Sequence, residues 1–98
     1  IKMTALELKK WAEEHCQSSK VDYIMNIVVA DRYIYDYYFS WGGFDYDLSV
    51  QWNGHDIENI YFTKRCAGEK VSCIRVELCD IIIVDGKLFF SALPRQYY

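Results

Sequence analysis

Proline occurs once and glycine five times in 98 residues, so the chain holds almost no linker material and no low-complexity spacer. Histidine occurs twice, which leaves little for acid–base or metal chemistry at neutral pH. The longest aliphatic run, residues 81–84, is far short of the roughly 20 residues that a bilayer-spanning helix needs. The N-terminus lacks the apolar stretch of a secretory leader, and Met3 opens a plausible native reading frame behind Ile1 and Lys2. Cys16, Cys66, Cys73 and Cys79 are therefore expected as reduced thiols rather than a disulfide framework, and the cytoplasm as the compartment.

Chemical signatures are sparse as well. Zinc sites want paired ligands at C-x₂₋₄-C spacing, whereas Cys66, Cys73 and Cys79 stand seven and six residues apart. His15 and Cys16 are neighbours on a helical stretch, where successive side chains diverge by about 100°. A Cys nucleophile with His55 as base has no local signature behind it. Gly42-Gly43 lacks the spacing and the following helix of a phosphate cradle. The basic stripe interleaved with aromatics that marks nucleic-acid binders is missing. Lys64, Arg65, Lys70 and Arg75 cluster near one expected loop and read as a solvated surface. No catalytic residue, cofactor, metal, membrane contact or direct nucleic-acid contact is expected.

What the chain does have is hydrophobic and aromatic residues in quantity, 52% and 17%, with nine Tyr, five Phe and three Trp. A single domain over residues 1–98 is expected from the length, able to bury roughly 60–65% of its unfolded surface without a staple. Thr4 and Glu7 fit the capping box S/T-x-x-E, with Met3 and Leu8 flanking it as an apolar staple. Leu8, Trp11, Ala12, His15 and Cys16 recur at helical spacing. Gln17-Ser18-Ser19 is read as the helix terminus.

From residue 21 the period becomes two. Phe44, Tyr46, Leu48, Val50 and Trp52 alternate with Asp45, Asp47, Ser49 and Gln51, a half-buried strand. Gly42-Gly43, Asn53-Gly54 and Asp85-Gly86 are hairpin signals, because such turns need positive φ. Further strands are expected over 21–30, 33–41, 57–64, 71–78, 79–84 and 87–92. The expected fold is α+β: an N-terminal helix packed through Leu8 and Trp11 on an antiparallel sheet of about six strands, a meander, open or curled into a half-barrel.

Charge is unevenly spread. Residues 21–63 carry seven acids against a single base, a net of −6, while the remainder carries ten bases against seven acids. Seven of the nine tyrosines lie in the acidic segment. In the run 33–41, alternation places Tyr33, Tyr35, Tyr37, Phe39 and Trp41 on one side as core. Asp36 and Tyr38 then face out, beside Asp45 and Asp47 and near Tyr23 or Tyr61, with Asp56 and Glu58 extending the set. Tyrosine gives a large contact area with few rotors, and carboxylates beside it steer a basic partner inward.

The expected partner-binding residues are thus Asp36, Tyr38, Asp45, Asp47, Asp56 and Glu58. The expected function is non-enzymatic binding, inhibiting a basic, nucleic-acid-processing enzyme as toxin-immunity proteins and phage-encoded inhibitors of host defence do. One alternative is a small-molecule or carbohydrate pocket lined by Trp41, Trp52 and tyrosines. Another is a homodimer joined by an exposed edge strand.

Overall fold

A computed structural model describes residues 3–22 and 32–90. Helix α1 (Ala5–His15) begins with the capping box: the Thr4 side chain accepts from the Glu7 N–H, and the Glu7 carboxylate accepts from the Thr4 N–H. This satisfies two of the amides that a helix start leaves without partners. The chain then enters strand β1 (Gln17–Asp22) at once, followed by β2 (Arg32–Trp41), β3 (Phe44–Asn53), β4 (Asp56–Cys66) and β5 (Glu69–Val76). These five form an open antiparallel sheet in sequence order, the meander expected. After a single 3-10 turn (Leu78–Asp80), β6 (Ile81–Val84) and β7 (Lys87–Phe90) make a separate two-stranded sheet. The fold is α+β, with its strands divided between two sheets.

Several boundaries differ from the sequence expectation. Gln17-Ser18-Ser19 does not merely end the helix but pairs with Tyr38, Tyr37 and Asp36. The β2 ladder imposes extension on residues with little strand propensity of their own. The strand expected over 21–30 shares only its first two residues with β1, and the rest of it, with Tyr23, lies outside the described residues; so do positions 91–92. Cys79 and Asp80 belong to the 3-10 turn rather than to β6. The β4–β5 connection is no loop but a two-residue turn, Ala67-Gly68, with φ of 51° and 84°. Asp85-Gly86 repeats that geometry with φ of 52° and 75°, as a tight hairpin requires.

Alternation along the strands builds the core. Tyr37 on β2, Tyr46, Leu48, Val50 and Trp52 on β3, Ile60 and Phe62 on β4 and Val76 on β5 are all buried. Their registers put them on one side of the sheet. Two separate pieces contribute to this core: α1 through Leu8, Trp11 and Ala12, and the β6–β7 hairpin through Ile81 and Phe90. Trp11 joins them. Its indole N–H donates to the Gly86 carbonyl at 2.9 Å, and its ring meets Phe39 edge-on at 5.9 Å. Phe90 lies 4.6 Å from Phe62, centroid to centroid.

The cover stops short of one end of the sheet. Trp41, on the core side by alternation, is 60% exposed, so the expectation that it belongs to the core is corrected. Lys64, expected on a solvated loop, sits instead on the core side opposite Tyr46. It is buried, with Nζ 3.9 Å from the centroid of the Phe44 ring.

Leu8, fully buried, is expected to cost about 3 kcal/mol on truncation to alanine, as lost transfer energy plus a residual cavity. Thermal or urea unfolding of Leu8→Ala measures this. Ala67→Asn should raise stability by about 0.5–1 kcal/mol, since asparagine tolerates the left-handed conformation better than alanine; a lowered unfolding midpoint would contradict the turn geometry.

Candidate functional site

The side of the sheet turned away from α1 and the hairpin is polar. β2 contributes Asp36, Tyr38 and Ser40, β3 contributes Asp45, Asp47, Ser49 and Gln51, and β4 contributes Asn59, Tyr61, Thr63 and Arg65. Asp47 occupies the middle. It stands directly opposite Tyr38 on β2 and Thr63 on β4, at the cross-strand spacing where side chains touch. Asp45 stands opposite Ser40 and Arg65, and Ser40 Oγ donates to Asp45 Oδ1 at 2.6 Å. Asp36 lies opposite Ser49 and Ser19. The Tyr38 hydroxyl is 3.1 Å from Ser19 Oγ and reaches Asp36 Oδ2 at 3.5 Å.

Four of the six expected residues, Asp36, Tyr38, Asp45 and Asp47, are therefore brought together. The other two are not. Asp56 pairs with Asn53 at the far end of β3, about 27 Å from Asp45 at 3.4 Å per residue. Glu58 is engaged in an ion pair with Arg32 at 3.1 Å.

Asp47 is not the freely solvated carboxylate that simple polar-out alternation implies. Its Oδ1 is sealed from solvent without a hydrogen-bond partner. Desolvation raises its pKa to about 6, the nearby Asp36 charge adds to the rise, and Arg65 partly offsets it. A carboxylate poorer in partners than water would make it is the usual origin of such a rise.

Arg65 is the residue that composition did not place here. As part of a basic run it reads as loop, yet the β3–β4 register sets it opposite Asp45. It forms no ion pair within 4 Å with either aspartate; elsewhere Arg75 pairs with Glu77 at 3.0 Å and donates to Asn59 Oδ1. Lys70 faces Arg65 from β5. The polar face is thus acidic over β2–β3 and basic over β4–β5, rather than acidic throughout. Only the register reveals this, because the two charge sets are separated in sequence.

Where the chain passes from α1 into β1, an open cleft of about 710 Å³ runs along this end of the sheet. Glu14, His15, Cys16 and Gln17 line one side, and Tyr38, Phe39, Ser40, Asp45, Tyr46, Asp47 and Arg65 the other. Burial pushes the Cys16 thiol up to about 11, which keeps it protonated and a poor nucleophile at neutral pH. Cys66, Cys73 and Cys79 are free and exposed. Trp52 is buried in the core and Trp41 stands at the sheet end, so neither lines the cleft.

Among the described residues no group of three or more His, Cys, Asp or Glu side chains is placed to hold a metal ion, and no helix is long and apolar enough to cross a membrane. Compared with known proteins, the chain matches no family model, no curated protein and no solved structure.

The raised Asp47 pKa fixes a sign. A carboxyl whose folded pKa lies above its unfolded value stabilises the fold when protonated, and that contribution is lost as pH rises from about 4 through about 6. Asp47→Asn should therefore unfold a few degrees higher than the parent at pH 7.5, the gain being of order 1 kcal/mol after solvent screening. The difference should close near pH 4. Paired thermal melts across this range test it, and a variant less stable than the parent at pH 7.5 would show that Asp47 is charged at no cost.

Proposed function

We propose that this chain is a non-enzymatic binding protein whose acid–tyrosine group, Asp36, Tyr38, Asp45 and Asp47, docks on a basic protein surface and inhibits the enzyme that carries it. The observation behind this reading is that these four residues share the side of the sheet that neither α1 nor the hairpin covers. Tyr38 is 41% exposed there, a rigid amphipathic contact of the kind interfaces favour. Carboxylates around it give the long-range attraction that speeds encounter with a positive surface. Enzymes that process nucleic acids present such surfaces, since they must hold phosphates. Toxin neutralisation and inhibition of host defence are the settings in which a small acidic inhibitor of this kind serves. Compared with the composition-based reading, the docking patch shrinks to four residues, and Arg65 gives it a basic border that a partner must accommodate.

A second reading, a small-molecule site, draws on the cleft at the α1–β1 junction, whose volume of about 710 Å³ lies within the roughly 300–1,000 Å³ of ligand pockets.

The first reading is tested by capture on the immobilised chain from lysate of its source cells. A basic protein should be retained at low salt and released by about 0.5 M salt, where screening is nearly complete. Asp36→Lys with Asp45→Lys should weaken retention by roughly tenfold or more while circular dichroism shows an intact fold. Retention that ignores both salt and the reversals, or the absence of any basic partner, would sink the proposal.

A further inference from the structure

We propose that the polar side of the sheet pairs face to face with the same side of a second copy, giving a reversible, salt-sensitive dimer that hides its own docking patch. That the hidden residues form a docking patch rests on the binding-protein reading above. The pairing itself rests on the order of charges across the strands.

Register sets the outward residues in rows that cross β2, β3, β4 and β5. One row runs Ser40, Asp45, Arg65, Lys70; the next runs Tyr38, Asp47, Thr63, Cys73; the third runs Asp36, Ser49, Tyr61, Arg75. Acids thus lie on the β2–β3 half and bases on the β4–β5 half of the same rows. A two-fold axis along the strands, between β3 and β4, keeps each row in place and exchanges the halves. Asp45 then faces Arg65 of the second copy, Asp36 faces its Arg75, and Ser40 faces its Lys70. Symmetry repeats each contact, as in any isologous dimer. An axis across the strands would instead lay Arg75 over Lys70 and leave the acids without a cation, so the charge order selects the first arrangement.

Stacked sheets stand about 10 Å apart, a gap that arginine and aspartate side chains reaching from opposite sides can close with charge-assisted hydrogen bonds. Arg75 already holds Glu77 at 3.0 Å, but both are exposed, and such a pair contributes little against rearrangement. Four strands about 4.8 Å apart and some eight residues of about 3.4 Å each cover roughly 500 Å² per copy. Two copies bury about 1,000 Å², the lower bound for a specific interface, which sets the expectation of a weak dimer. The outer edge of the sheet suits self-pairing less. β5 carries Lys70 and Arg75 and pairs with β4 through a bulge, features that keep edge strands apart.

The test is sedimentation of the whole chain between about 10 µM and 1 mM, spanning an expected Kd of order 100 µM. In low salt the 11.6 kDa monomer should give way to twice its mass, and about 0.5 M salt should restore the monomer. Asp36→Lys with Asp45→Lys makes the side mainly basic, and Arg65→Glu with Arg75→Glu makes it mainly acidic. Each should be monomeric alone, while an equimolar mixture should form a one-to-one dimer. Circular dichroism checks both folds; where a reversal unfolds the chain, Asp45→Asn and Arg65→Gln take its place, each weakening association about threefold or more. Lys10→Glu, exposed on α1 on the other side of the sheet, should leave association within about twofold. A chain still monomeric at about 1 mM in low salt would overturn the proposal. So would association that ignores salt or survives the reversals, or folded reversal variants that stay apart when mixed. Capture of a basic partner by a chain that never dimerises would leave the docking face standing and remove the self-pairing. A dimer that captures no partner would do the reverse.

Discussion

Trp11 is the contact on which the architecture turns. A five-stranded sheet with one polar side can be stabilised only from the other, and here the layer over that side comes from opposite ends of the described chain. The indole N–H of Trp11 reaches the Gly86 carbonyl 75 residues away, while its ring packs on Phe39 and on His15 at 5.3 Å. Helix, sheet and terminal hairpin thus converge on one side chain. A tryptophan suits the place because it offers a large apolar body together with a single donor that needs a partner when buried.

One-sided cover also explains why a binding surface is available. With α1 and the hairpin on the same side, nothing in the described fold competes for the polar side, and the alternation that fills the core sets the outward residues at fixed spacing. The acidic residues serve the fold as well. A one-residue slip of β3 would carry Asp45 and Asp47 into the core and Tyr46 and Leu48 into water, so these carboxylates help to specify the register. Bulges between Gln51 and Trp52 and between Lys64 and Arg65 then adjust the β4 pairing, and the second of them sets Lys70 rather than Val71 opposite Arg65.

Much of this was legible in the residues themselves. The capping box, the apolar helix stripe, the 44–52 alternation and the Asp85-Gly86 turn each announce a local conformation, and the structure realises all four. β1 was hidden because Gln17, Ser18 and Ser19 carry no alternating apolar signal and extend only through pairing with β2. The Ala67-Gly68 turn was hidden because alanine rarely adopts positive φ. At the candidate site, alternation alone groups Asp36, Tyr38, Asp45 and Asp47. The approach of Arg65, the sealing of Asp47 and the separation of Asp56 are properties of cross-strand register, which one strand's sequence does not encode.

The placement of the hairpin has a consequence for biosynthesis. By the time Val76 has been made, every strand of the large sheet exists, joined from β2 onward by short local turns that close quickly. Phe62 still lacks Phe90, and the Trp11 indole N–H lacks the carbonyl that accepts its hydrogen bond. At roughly 5–20 residues per second, the fourteen residues between Val76 and Phe90 take about one to three seconds to add. Until the hairpin docks, the part of the sheet's apolar side that Ile81 and Phe90 cover stands open to water, which makes the incomplete fold prone to self-association or chaperone capture.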